Sequence, residues 1–209
     1  PMAQLLDLCR IRRHDRAIVN QGINATSSGL ARVPYTNDGW GRAYGLEVLL
    51  KHAVSDRFYG WISYTLSRSE DVIRTDQPLA PSRYDQTHIL TLVASFRPGL
   101  GFEVGTRFRL VSGNPATPVL DGTFVGDSSR YVRLRGARDS DRLPLFHQLD
   151  LRVERAWEFE RWMLSVYLDI QNVYNADNPE ATIWDYRYRK SYRIRGLPVL
   201  PTLGLKGQF

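Results

Sequence analysis

Long apolar runs are missing from this chain of 209 residues. None approaches the roughly 20 consecutive apolar residues that a membrane-spanning helix needs, which excludes a helical membrane protein. Cysteine is nearly absent: Cys9 is the single one, so no intrachain disulfide and no cysteine-based zinc site can form. The four histidines, His14, His52, His88 and His147, are scattered, and none falls in a His-Glu-x-x-His pattern. A phosphate loop and a Gly-x-Ser-x-Gly turn are also lacking. Asp121 and Asp127 share a glycine-bearing loop, but not at the spacing of a calcium site. The chain therefore reads as a non-enzyme with no cofactor, no metal and no catalytic residues. Its start, Pro1-Met2, has no charged segment followed by an apolar stretch, so no secretory signal is expected in this piece. An exported chain of that kind would be processed or a fragment.

What is present is basic and alternating. The formal net charge is +6, and arginine dominates the cations. The sequence pI is about 9.6. No recognition motif or basic helix accompanies that charge, so nucleic acid is not the expected partner. A solvated surface or lipid phosphates suit it better. Apolar residues make up 43% of the chain, and mean hydropathy is −0.35. Those averages suit a soluble globule, but a barrel strand needs only about 9–11 residues with every second one apolar. The pattern must decide.

From Arg42 to Lys51, Tyr44, Leu46, Val48 and Leu50 share one face, opposite Gly45, Glu47 and Lys51. From Arg57 to Arg68, Phe58, Ile62, Tyr64 and Leu66 oppose Ser63, Thr65 and Ser67, which Tyr59 and Trp61 join. Val54-Ser55-Asp56 between them is a hairpin turn. Leu90, Leu92, Ala94 and Phe96 oppose Thr91 and Ser95. After the turn Arg97-Pro98-Gly99-Leu100-Gly101, Phe102, Val104, Thr106, Phe108 and Leu110 oppose Glu103, Gly105, Arg107 and Arg109. In the clearest pair, Leu149, Leu151, Val153 and Trp157 oppose Gln148, Asp150, Arg152 and Glu154. A turn at Phe159-Glu160 follows. Trp162, Leu164, Val166, Leu168 and Ile170 then oppose Ser165, Tyr167, Asp169 and Gln171. Leu203, Leu205 and Phe209 end the chain in the same alternation. Period two means a strand with a different environment on each face. Runs of about ten residues exceed the globular mode of about 5–6, and rings gather near the run ends.

Connection lengths point the same way. Those inside each pair are short; those between pairs, at 70–86, 113–146 and 175–198, are long. Outer-membrane barrels have short periplasmic turns and long outer loops. The sequence thus predicts an all-β chain: an antiparallel transmembrane β-barrel segment of about seven or eight strands, an incomplete barrel, with long extracellular loops. Asp185 to Arg195 also alternates, with Arg187, Arg189, Arg193 and Arg195 against Tyr186, Tyr188, Tyr192 and Ile194. It is expected to be an extended arm of the last outer loop, because a further crossing would leave the C-terminus outside. Residues 1–42 are poorly patterned. Leu5 to Val19 has room for one strand, and Asn37-Asp38-Gly39 is a turn signal in an outer loop. The barrel region proper is read as 43–209.

Several motifs now carry a resemblance. Gly41-Arg42-Ala43-Tyr44-Gly45-Leu46-Glu47 looks like the Gly-x-x-x-Gly-x-Glu opening of a late barrel strand in TonB-dependent receptors. Tyr59 to Ser69 resembles the strand after it. Tyr84-Asp85-Gln86-Thr87-His88 is similar to that family's Asp-x-x-His start of the next strand. His147 to Arg152 and Leu168-Asp169-Ile170-Gln171-Asn172-Val173-Tyr174-Asn175 resemble the penultimate hairpin. Gly196 to Pro201 leads into a last strand ending in Phe209. Each motif is short, but their order along 39–209 is specific.

The resemblance implies the C-terminal barrel part of an energy-coupled receptor in the bacterial outer membrane. Its partners would be outer-membrane lipid and lipopolysaccharide, the barrel assembly machinery, and the TonB system through a plug domain that this chain does not include. Leu203, Leu205 and Phe209 resemble the assembly signal of such strands. About 22 strands surround the plugged lumen of large outer-membrane transporters, far more than this chain supplies. It would not transport alone. The imported nutrient, for instance a metal chelate, a cofactor or an oligosaccharide, is not legible. The alternatives are a small autonomous barrel acting as a passive pore or structural protein, and a soluble all-β binding module. Asp150, Arg152, Glu154, Asp169 and Gln171 would face the lumen, where cross-strand ion pairing is favoured over substrate binding. Arg107 and Arg109 there could touch a plug.

Overall fold

The computed structural model describes residues 39–73 and 77–209 with their side chains, and the backbone alone of strand residues 3–7, 10–18, 23–26, 29–32 and 36–38. Seven long strands dominate: β1 Thr36–His52, β2 Phe58–Val72, β3 His88–Gly99, β4 Phe102–Val111, β5 Phe146–Glu158, β6 Met163–Gln171 and β7 Leu200–Gln208. All pair antiparallel with their sequence neighbours, in one open sheet that ends at β7. No α-helix occurs among the described residues; the one helical piece is the 3-10 turn Gly126–Ser128.

The expected short and long connections alternate along this sheet. At one end lie three tight turns. Ser55 N–H donates to the Phe58 carbonyl at 3.0 Å, and Phe159 N–H to the Trp162 carbonyl at 2.8 Å. In the third turn, Gly99 and Gly101 have φ of 114° and 77°. A Cβ on Gly101 would sit 2.1 Å from the Ala156 carbonyl oxygen, so only glycine lets β5 pass so close. At the other end, loops 73–87, 112–145 and 172–199 join the hairpins.

Two of the sequence expectations are corrected here. Asn37-Asp38-Gly39 is not a turn: the ladder of β1 starts at Thr36 and runs through it. Thr36 and Gly39 pair with Ile18 and Arg16, and Trp40 and Gly41 with Val72 and Asp71, so backbone partners on both sides outweigh the local turn preference. Asp185 to Arg195 is not one continuous arm. Pro179–Trp184 pairs with Ser191–Arg195, and the intervening residues form the turn. This hairpin is a sheet of its own, apart from the ten-stranded main sheet, as a loop arm should be. Within the Leu5–Val19 expectation, Ala3–Asp7 and Arg10–Ile18 each pair with β1; Cys9 lies outside the described residues.

The sheet is a single layer. Val72 and Val111 are the only buried hydrophobic side chains among the described residues. Its two faces differ as the alternation requires. On the apolar face the register aligns Tyr64, Leu90 and Leu110, then Ile62, Leu92, Phe108 and Leu149. Further along come Val153, Leu168 and Leu203. Rings bound this face at both ends. Tyr64 stacks on His88 and Tyr174 on His147, each phenol oxygen 2.8–2.9 Å from the imidazole Nδ1, at the long-loop end. Phe159, Trp162 and Phe209 stack at the short-turn end. There too Arg155 lies 4.9 Å from the Phe102 ring and 4.8 Å from that of Trp157, an arrangement that covers an arginine on an apolar face.

The polar face is internally satisfied. Arg107 pairs with Asp150 at 2.6 Å and Arg152 with Glu154 at 2.7 Å. Arg152 also lies 3.9 Å from the centre of the Tyr167 ring, which lies flat over Gly204 of β7, where any Cβ would meet it at 2.2 Å. No buried side-chain nitrogen or oxygen among the described residues lacks a partner.

Candidate functional site

The long-loop end is where the side chains gather into something a ligand could enter. Three loops are tied there by a few polar residues. Asp85, 1% exposed, opens the motif Asp85-Gln86-Thr87-His88. Its Oδ1 accepts the Ser69 N–H at 2.6 Å, and its Oδ2 accepts the Thr87 hydroxyl at 3.3 Å and the Arg142 guanidinium. Arg142 also donates to the Asp85 and Gly113 carbonyls, both at 3.2 Å. One buried carboxylate thus fastens the end of β2, the first loop and the second loop together. A second clasp lies beside it: Arg138 Nη2 donates to the Asp71 carbonyl at 2.7 Å and to its carboxylate at 2.8 Å.

The third loop is held by asparagines. Asn172 is fully buried and adopts φ of 52°, a conformation asparagine tolerates. Its amide donates to the Ala176 and Leu197 carbonyls at 3.1 and 2.9 Å, and its Oδ1 accepts the Ala176 N–H at 2.8 Å. Asn178 takes both backbone groups of His147, at 3.0 and 2.8 Å, as a neighbouring strand would. The hairpins of the second and third loops also touch. The Tyr186 hydroxyl donates to the Ser129 carbonyl at 3.2 Å, and Arg133 lies over the Tyr188 ring.

Asp185 closes the turn of the third-loop hairpin. Its Oδ1 accepts the N–H groups of Arg189 and Lys190 at 2.8 and 3.1 Å. The Lys190 N–H first, with the Arg189 N–H, holds this carboxyl below the usual aspartate range.

Between the three loops opens a cleft of about 1190 Å³. Six arginines and three aspartates line it, an excess of positive charge. Arg138 and Arg142 are committed to the clasps. Arg83, Arg133, Arg135 and Arg193 make no ion pair among the described residues and are exposed. Tyr84, which is 72% exposed, and Trp184 add ring faces to the same walls. No group of His, Cys, Asp or Glu among the described residues could hold a metal ion.

Comparison with known proteins returns no matching family model, curated protein or solved structure. The site therefore stands on its own geometry. Of the residues singled out in the sequence, the sheet unites Asp150 with Arg107 and Arg152 with Glu154. Asp169 stands opposite Arg152 without an ion pair among the described residues, and Gln171 stands opposite Leu200. Arg109 lies over the Phe146 ring rather than beside a carboxylate. Leu203 and Leu205 share the apolar face of β7, opposite Leu168 and Val166, and Phe209 follows just past the strand end against Trp162. The cleft has no counterpart in the strand pattern of the sequence. Its signal was available: Arg130, Arg133, Arg135, Arg138 and Arg142 crowd thirteen positions of one loop.

Proposed function

We propose that this chain is the C-terminal barrel portion of a TonB-dependent receptor, which imports a scarce nutrient across the bacterial outer membrane. One observation carries the reading: a single-layer sheet leaves a ring-bounded apolar face uncovered. Leu203 and Leu205 are 72% and 73% exposed, and Ile62, Phe96, Val104, Val153 and Leu168 are exposed on the same face. A soluble sheet buries such a face under a second layer. Hydrocarbon is the covering that needs no further protein. On β5 the ten steps from His147 to Trp157 cover about 34 Å at ~3.4 Å per residue. Tilted by about 40°, that is a band roughly 26 Å tall, near the apolar height of outer-membrane barrels.

The short turns would then be periplasmic and the loop cleft external, open to incoming ligand. The ion-paired face would line the lumen, against a plug supplied from outside this chain. The open edge at β7 fits a piece of a larger barrel better than a small autonomous pore. Lipid, lipopolysaccharide, the assembly machinery and the TonB system are its partners on this reading.

Cysteine labelling of intact cells tests it, in a full-length protein with Cys9 replaced by serine. A membrane-impermeant maleimide should label S128C, in the second loop, and should not reach S55C. Labelling at Ser55 but not at Ser128, or a protein that stays in solution without detergent, overturns the reading.

A further inference from the structure

We infer that the loop cleft is a binding site for a small organic polyanion, one carrying two or more carboxylate or phosphate groups. The inference rests on the receptor reading for the direction from which ligand arrives, and otherwise on the cleft itself. Four cations, Arg83, Arg133, Arg135 and Arg193, face one cavity from three different loops and have no carboxylate partner among the described residues. Like charges around one cleft repel one another, and an anion that enters relieves that repulsion. A chain that needed only solubility had no reason to converge them.

Arginine is also the informative choice. Its planar fork donates two parallel hydrogen bonds, which match a carboxylate or a phosphate, and it cannot lose its charge. The cleft's three carboxylates are outnumbered by its six arginines, and each already holds a hydrogen-bond donor of its own. Asp71 is engaged by Arg138, Asp139 accepts the Thr117 hydroxyl, and Asp141 accepts the Arg142 N–H. Two clasps, Arg138 to Asp71 and Arg142 to Asp85, hold the walls from the first and second loops in place before any ligand arrives, and the Tyr186 hydroxyl ties the third loop to the Ser129 carbonyl. The site is thus organised in advance, which lowers the ordering cost of binding. A volume of about 1190 Å³ exceeds that of an inorganic ion by far. Typical small-molecule sites span about 300–1,000 Å³, so the cleft has room for a ligand with an organic body. Tyr84 and Trp184 offer ring faces against which that body can lie.

Isothermal titration of the full-length protein in detergent tests this, with citrate as the carboxylate probe and pyrophosphate as the phosphate probe. One or both should bind at a single site, and affinity should fall as salt is raised. The double variant R135Q/R193Q should weaken binding at least ten-fold, the fold-change expected when charge-assisted hydrogen bonds are lost. Both side chains are exposed, so folding should persist, checked by circular dichroism. K206Q, on β7 and outside the cleft, should bind as the unaltered protein does. Tighter binding of citrate or of pyrophosphate decides which oxyanion the site prefers. Binding of neither, or binding that R135Q/R193Q leaves unchanged, overturns the inference while correct labelling of S128C would keep the receptor reading. Anion binding by a protein that fails the labelling test would sink the receptor reading and keep the site.

Discussion

Arg107 and Asp150 stand directly opposite one another on β4 and β5, and the guanidinium holds one carboxylate oxygen through Nε at 2.9 Å and Nη2 at 2.6 Å. The other oxygen accepts the Gln148 amide at 2.7 Å and the Asn172 N–H at 3.0 Å. Asp150 therefore joins the polar face of the sheet to the buried asparagine that shapes the third loop.

Asp150→Ala should cost about 1–3 kcal/mol, because it strands the buried Asn172 N–H and frees Arg107. Asp150→Asn should cost less, since an amide oxygen can still accept from Asn172. On the proposed function, urea unfolding of the full-length protein in lipid measures both. Equal losses for the two variants would mean that the charge, rather than the acceptor, matters.

On the proposed topology, Leu151 and Leu168 meet hydrocarbon. Leu151→Arg or Leu168→Arg should then destabilise by about 2–4 kcal/mol near the midplane. Arg152→Leu changes the opposite face and should be milder, losing the pair with Glu154 and the contact with the Tyr167 ring. Equal effects on the two faces in the same unfolding assay would contradict the assignment of faces.

Acid should loosen the turn of the third-loop hairpin. The Asp185 carboxyl is held below its ordinary value by the Lys190 and Arg189 N–H groups, which bond its charged form more strongly than its neutral one. Its support is complete above the unfolded value of about 3.9 and is lost as pH falls through the lowered folded value. The Arg189 and Lys190 amide resonances should move with a midpoint below that value. Asp185→Asn keeps an oxygen acceptor and should abolish the titration. A midpoint above about 4 would refute the account.

Phe209 is fully exposed and stacks only loosely on Trp162, with 6.4 Å between ring centres. A ring so placed adds little to stability, which leaves recognition as its proposed role. An edge strand with unpaired backbone can be captured by strand addition, and alternate side chains such as Leu203 and Leu205 give selectivity. On the proposed function, deleting Phe209 should lower the outer-membrane level of the full-length protein without changing the heat resistance of assembled barrels. Unchanged abundance on immunoblots of membrane fractions would leave Phe209 an ordinary strand end.

The strands were legible because alternation is local. Leu149, Leu151 and Val153 point one way whatever the chain does elsewhere, since successive Cβ atoms of a strand face opposite sides. The same locality misled at Asp185 to Arg195. Tyr186 and Tyr188 alternate with arginines as a strand would, yet the Asp185 side chain folds that stretch into a turn. Asn37-Asp38-Gly39 failed in the opposite sense, because ladder partners elsewhere in the chain overrode a local turn preference.

By itself, the sequence determined an all-β chain, seven of its long strands, the face most of their side chains take and the alternation of short and long connections. Only the tertiary structure decided the cleft. Its two clasps join residues 67 and 57 positions apart, Arg138 to Asp71 and Arg142 to Asp85. No periodicity records such pairs. Whether an arginine in a loop meets a carboxylate or stays free depends on how loops from separate hairpins pack, and that is settled by contacts between segments far apart in the chain.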